Sequence, residues 1–388
     1  MTLRRKSCRA GALAGLVLLT LGGAAAAEPG VTKDQILVGS SLDLSGPAAP
    51  VGGPMKQALE IGAQMINDHG GINGRALKVI TYDNALSVPK GLLAVQKLLT
   101  QDHVFAFVAL MGEPLVQAAE KRIFAADRAI MFPLAGLQSL YDPPQRLLAA
   151  FVPDFSTQFA AGAEWALKDL QKRKICLLES HGMNANVRTA VEKVLASHQL
   201  RLTDYASYAL GEADLSAPMA RFKDAGCETV LLDGNVRDAA AALRERRKLD
   251  WTVDFLVAQS AAADGLIKLG GTAAEGTYGL ATKLPMDATG DMPVVKELER
   301  RYRAAYDKPF DPSFLGGYQA LALFAEAARR AGPDLTTATL IQGLDRMKDV
   351  DTGIGFPPVT FSESRRLGSD HGYIIQIRHG AWTKAADW

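Results

Sequence analysis

SLDLSGPAAPVGGPMKQALEIGAQMINDHGGINGRALKVITYDN, residues 41–84, decides the fold class of this chain. It opens on the end of an apolar run, ILVGSSLDL from Ile36, passes through a helical stretch from Met55 to Asp68, and closes on a second run, ALKVITYDN. Within the helical stretch Ala58, Ile61, Gly62, Met65 and Ile66 recur at spacings of three and four, which gives one apolar stripe. Gly70 and Gly71 stop the helix, because only glycine enters the left-handed conformation of a C-cap without penalty, and Asn73-Gly74 makes the tight turn into the next strand.

The alternation continues outward: a helix over 90–101, the strand VFAFVAL, and from Phe159 a second series. That series reads as a helix to Leu170, the strand KICLLE, a helix from Asn186 to His198, and the strand LTDYASYA. A helix near 217–225, the strand ETVLLDG, a helix from Arg237 to Leu249 and the strands VDFLVAQ and GTYGLAT follow. Alternating units of this kind specify a parallel sheet covered on both faces, and here the architecture is built twice. After Lys283 come helices over 294–306 and 318–331, a short helix from Thr337, and a tail running from PPVTFSE to GYIIQIRHG that adds edge strands.

Residues 1–27 read as a secretory signal peptide. Arg4, Arg5, Lys6 and Arg9 precede an apolar stretch from Ala10 to Gly23, and Ala25, Ala26 and Ala27 offer a small-residue cleavage site. The stretch is too short and too rich in Gly and Ala for a membrane anchor, and Cys8 lies before the apolar core rather than after it. The expected location is the periplasm, with no membrane anchor. Of the 43 basic and 42 acidic side chains, the segment takes four basic and no acidic, which leaves a net charge near −3 and nothing to attract nucleic acid. The remaining length exceeds one comfortable core, so two domains are expected. Cys176 and Cys227 each stand at the start of a candidate strand; they are either a disulfide between neighbouring strands or two small buried apolar residues, and spacing alone does not decide.

The SGP after the first strand, the helix ending in GGINGR and the YDN after the second strand closely resemble the opening of the periplasmic leucine/isoleucine/valine-binding proteins, the type I solute-binding components of ABC importers. The resemblance extends more weakly along the mature chain. It implies an α/β fold of two doubly wound parallel-sheet lobes joined by three hinge crossings, near Ala150, Thr282 and Phe361, with a ligand held between the lobes. Lobe one would be 28–150 plus 283–361, and lobe two 151–282 plus 362–388. It further implies ABC permease subunits as partners and a monomeric chain.

The residues lead to the same cleft. In an open parallel sheet the loops at the carboxyl ends of the strands converge on one crevice, where helix N-termini present free N–H groups. Those loops are 44–47, 110–114 and 134–136 in the first half and 181–184, 234–236 and 259–261 in the second. Expected ligand contacts are Ser45, Gly46, Glu113, Ala135, Gly136, Asn184, Asn235 and Gln259. Four of them depart from the pattern the resemblance implies. Glu113 falls where family members place small hydroxyl residues that hold a ligand carboxylate. Asn184 and Asn235 fall near binding tyrosines, and Gln259 falls on the acid that pairs with the ligand ammonium. A carboxylate at a helix N-terminus repels an anionic ligand group or else caps its own helix. The clamp for an α-amino acid is thereby dismantled, and leucine, isoleucine and valine are not transferred as ligands.

Catalytic and metal signals are missing from the sequence. The six histidines show neither the close pairing nor the neighbouring acids of a metal site, and there is no G-x-S-x-G elbow, P-loop or G-x-G-x-x-G fingerprint, so neither enzyme activity nor a cofactor or metal is expected. Aromatic residues at 7% argue mildly against a sugar cleft, which stacked rings usually line. The expected function is capture of a small polar organic molecule, an amino acid, amide or small organic acid, and its delivery to an ABC importer. The alternative is a module that senses a ligand for a regulatory partner.

Overall fold

The computed structural model describes residues 28–181, 186–209 and 214–388, besides Thr2. The first series runs β1 (Gln35–Leu42), α1 (Ala49–Asp68), β2 (Ala76–Asp83), α2 (Val88–Thr100), β3 (Ala106–Val108), α3 (Glu113–Ala125), β4 (Ile130–Met131) and β5 (Leu148–Ala149). These five strands form one parallel sheet in the order β2-β1-β3-β4-β5. The second series runs α4 (Phe155–Lys168), β6 (Ile175–Ser180), α5 (Val187–Ser197), β7 (Asp204–Tyr208), α6 (Ser216–Asp224), β8 (Thr229–Asp233), α7 (Val236–Lys248), β9 (Asp254–Val257), α8 (Asp264–Gly270) and β10 (Tyr278–Ala281). Its parallel strands take the order β10-β9-β8-β6-β7, which repeats the first sheet's arrangement. Both sheets therefore have a topological switch point beside their first strand, where crevices open in doubly wound folds.

The chain then returns to the first sheet as α9 (Met286–Thr289), α10 (Pro293–Tyr306), α11 (Phe314–Ala331) and α12 (Thr337–Asp345). Helix α11 packs across α1 and closes a core in which Phe105, Phe314, Phe324 and Phe361 are fully buried. Finally β11 (Tyr373–Arg378) and β12 (Ala381–Asp387) extend the second sheet as antiparallel edge strands. The polar strand β12, AWTKAAD, is not singled out by sequence pattern, because of its hydrophobic side chains only Trp382 is buried.

The helix expected from Met55 begins at Ala49. Pro50 is tolerated in a first turn, and Asp43 seats that turn by accepting the N–H groups of Gly46 at 2.5 Å and Ala48 at 2.7 Å. Gly52 is obligatory there, since a Cβ would run into the Asp43 carbonyl. The strand VFAFVAL is shorter than its apolar length, pairing only over Ala106–Val108. Gly70, Gly71, Asn73 and Gly74 all take positive φ, as a helix stop followed by a tight turn requires. Cys176 and Cys227 form a disulfide, with Cα atoms 5.9 Å apart, between β6 and the start of β8.

Three passages join the halves. The first follows Ala149, the second follows Ala281, and the third lies between Phe361, buried in the first core, and β11. Ala150 donates its N–H to the Arg366 carbonyl at 2.8 Å and accepts from Gly368 at 2.9 Å, so the first and third passages run side by side. Arg366 is buried and donates to Asp345 at 2.6 Å, while Phe132 packs edge-on or tilted against Phe151 and Phe361.

Candidate ligand-binding cleft

The loops at the carboxyl ends of the first sheet are laced to one another before any ligand arrives. Asp83, the acid of YDN, accepts the Ser45 hydroxyl at 2.6 Å and the N–H groups of Leu44 and Ala85 at 2.9 Å. The Ser45 hydroxyl above all, then the Leu44 N–H, holds the Asp83 carboxyl below its ordinary value. Asn84 is buried and donates to the carbonyls of Ser41 at 3.3 Å and Met111 at 3.1 Å, tying the loop after β2 to the end of β1 and to the loop after β3. SGP and YDN are thus two sides of one hydrogen-bonded corner.

Glu113 is the first residue of α3, and its carboxylate does not cap that helix. Its Oε1 accepts the backbone N–H of Gly136, across in the loop after β4, at 3.0 Å. Burial pushes this carboxyl above its ordinary value, the Gly136 N–H opposes the rise, and the charge of Asp154 adds to it.

Glu113 and Gly136 line a cavity of about 270 Å³ that lies between the two halves. Asp142 joins them from the first half, while Asp154, Phe155 and Asn186 come from the second. The volume falls just below the roughly 300–1,000 Å³ of typical small-molecule sites. Asp154 is the N-cap of α4 and accepts the Thr157 N–H at 2.8 Å and the Ser156 hydroxyl at 2.9 Å. Its own N–H donates to the Tyr141 hydroxyl at 3.3 Å, and burial above all pushes that phenol up to about 12.

The other expected contacts are placed differently. Ser45 and Gly46 sit in the corner just described, and Ala135 adjoins Gly136 in the partly buried loop. Asn184 lies outside the described residues. Asn235 is the N-cap of α7, with Oδ1 accepting from Arg237 at 2.8 Å and Asp238 at 3.2 Å. Asp238 returns the bond to the Asn235 N–H at 3.0 Å, so the pair forms a capping box. Gln259 joins a chain of amides: its Nε2 donates to Thr282 Oγ1 at 2.9 Å and its Oε1 accepts from Gln158 Nε2 at 3.1 Å. Gln158 is fully buried and also donates to the Pro153 carbonyl at 2.9 Å, so the chain links the first passage to the second. Lys283, on that second passage, is half-buried; burial lowers its ammonium's pKa and the carboxylates of Asp264 and Asp311 oppose the shift.

Sequence reasoning overlooked Asp154, Phe155, Asp142 and Asn186. The available signal was DFST, residues 154–157, an acid followed by a helical stretch immediately after the first passage, which reads as an N-cap aimed at the junction.

The periplasmic binding protein family matches residues 35–381. The chain belongs to this family. It is 23% identical over 376 residues to the Leu/Ile/Val-binding protein of Escherichia coli, covering 96% of this chain and 98% of that one. Among solved structures, a branched-chain amino acid ABC transporter protein from Thermus thermophilus with bound valine superposes with a TM-score of 0.80 at 20% identity, over 92% of this chain and 97% of that one. A fatty acid ABC transporter substrate-binding protein from Thermomonospora curvata superposes with a TM-score of 0.77 at 23% identity, over 92% and 93%. Valine for one and fatty acid for the other make plain that this fold does not specify its guest. As a periplasmic binding protein the chain is a small-molecule binder that works outside the cytoplasm, not an enzyme. Among the described residues no helix is long and apolar enough to cross a membrane, and no group of three His, Cys, Asp or Glu side chains is placed to hold a metal.

Proposed function

We propose that this periplasmic binding protein captures a small polar organic molecule, an amino acid, amide or small organic acid, between its lobes and hands it to the membrane subunits of an ABC importer. In this reading residues 1–27 direct export and are removed near Ala27, lobe one comprises 28–150 with 283–361, and lobe two comprises 151–282 with 362–388. The observation that carries it is the cavity walled by both halves at their strand ends, with Glu113 and Gly136 on one side and Asp154 and Phe155 on the other. A molecule seated there touches both lobes only when they are closed, so binding free energy becomes closing free energy.

A thermal-shift panel over amino acids, amides, small carboxylates and aromatic acids identifies the ligand, because a molecule selective for the folded state raises Tm. With that ligand at saturation, solution scattering is expected to report a smaller radius of gyration; an unchanged radius removes the proposal. Gln259→Ala should weaken binding without a comparable loss of folding stability. Equal affinity in that variant would take Gln259 off the site.

A further inference from the structure

Resting on the binding-protein reading above, we infer that the end of the ligand facing lobe one is a nitrogen hydrogen-bond donor, an amine or an amide, rather than a carboxylate, and that Glu113 sets this preference. The switch point beside β1 and the start of α3 form the kind of corner where free N–H groups ordinarily await an anion. In this chain the Gly136 N–H is already taken by the Glu113 carboxylate at 3.0 Å. An incoming carboxylate would have to evict that group from its donor and then sit beside its charge.

The rest of the wall leans the same way. Asp142 and Asp154 are its other charged groups, and no Lys, Arg or His contributes to it among the described residues. Those two acids have other duties: Asp154 holds the first turn of α4, and Asp142 Oδ2 accepts from Gln138 Nε2 at 3.0 Å. Glu113 differs, because its second carboxylate oxygen has no hydrogen-bond partner among the described residues while the residue lines the cavity. Solvent reaches that oxygen in the open cleft, and a donor on the guest takes the solvent's place there. The ring of Phe155 packs so closely on Gly136 that a Cβ there would lie 3.1 Å from it, which supplies an apolar wall for the carbon body. Burial raises the cost of leaving the Glu113 charge unanswered, consistent with the upward shift of its carboxyl.

The test uses the full mature chain and three probes with one carbon skeleton: isoamylamine, isovaleramide and isovalerate. Each is titrated while the Gly136 amide resonance is followed by NMR. The amine and the amide are expected to move that resonance, with isovalerate at least tenfold weaker. Glu113→Gln keeps an acceptor for the Gly136 N–H while removing the charge, and should erase the advantage of the amine over isovalerate; Glu113→Ser serves as a second variant if the first perturbs the fold. Isovalerate acting as strongly as the amine on the unmodified chain, an unchanged ranking in the variants, or no response to any of the three overturns the inference. Compaction driven by a carboxylate that carries no nitrogen donor would remove this inference and leave the binding-protein reading standing, whereas absence of compaction across the thermal-shift panel would remove that reading.

Discussion

The two lobes share a strand order and hold themselves together by different means. In lobe one the weight falls on large aromatic side chains: Phe105, Phe107, Phe132, Phe314, Phe324 and Phe361 are all fully buried, several of them in ring-to-ring contact. Lobe two buries Phe159, Phe222 and Phe255, but its α7 contributes Ala239, Ala240, Ala241 and Ala242 to the core, small side chains that each bury little apolar surface. That lobe adds a covalent tie, Cys176–Cys227, spanning 51 residues of sequence. The same topology can thus be secured by packed volume or, where side chains are small, by restricting the unfolded chain.

The widest break in this comparison should come from Phe324→Ala. Removing a ring that meets Phe105 edge-on at the centre of α11 should destabilise lobe one by about 3–5 kcal/mol. Hydrogen exchange should locate the loss in β1, α1 and α11 and spare β6 and β8. Next is the Cys176→Ser, Cys227→Ser double variant, expected to lower the stability of lobe two by about 2–4 kcal/mol and to leave amide protection in lobe one unchanged. Equal loss in both lobes would show that they unfold as one unit and would erase the distinction.

The smallest effect sharpens the comparison at the cleft, where α7 begins with a closed capping box and α3 begins with Glu113, whose carboxylate serves another loop. Because the Glu113 carboxyl titrates above its ordinary value in the folded protein, its contribution to stability is fully present below about pH 4.3 and is lost as pH rises through the raised value. Glu113→Gln should therefore raise Tm at pH 7 by no more than about 2 °C and make no difference at pH 3. A variant that melts lower at pH 7 would mean that the carboxylate is stabilised where it stands.

Legibility in the sequence followed the range of the forces involved. The helix stop at Gly70-Gly71, the turn at Asn73-Gly74 and the stripe through Ile61 and Met65 are local events, and the structure carries them as read. Strand lengths were less legible, since Val104 and Leu110 are buried by neighbours rather than by pairing. The site divides the same way. Asn235 and Asp238, three apart, carried a readable capping signal that competes with a role in ligand contact, whereas the partner of Ser45 lies 38 residues away and that of Gln259 lies 101 away. No spacing rule anticipates such pairings, which are set by which strand ends the topology brings side by side.

Helix α11 covers α1 and reaches β3, yet it is the product of the last quarter of the chain. The opening sheet is therefore made early and roofed late: until Ala331 has been synthesised, a broad greasy surface stays bare. Truncation just after β10 should leave the amino-terminal piece sticky, while the middle of the polypeptide can already fold around its own tie.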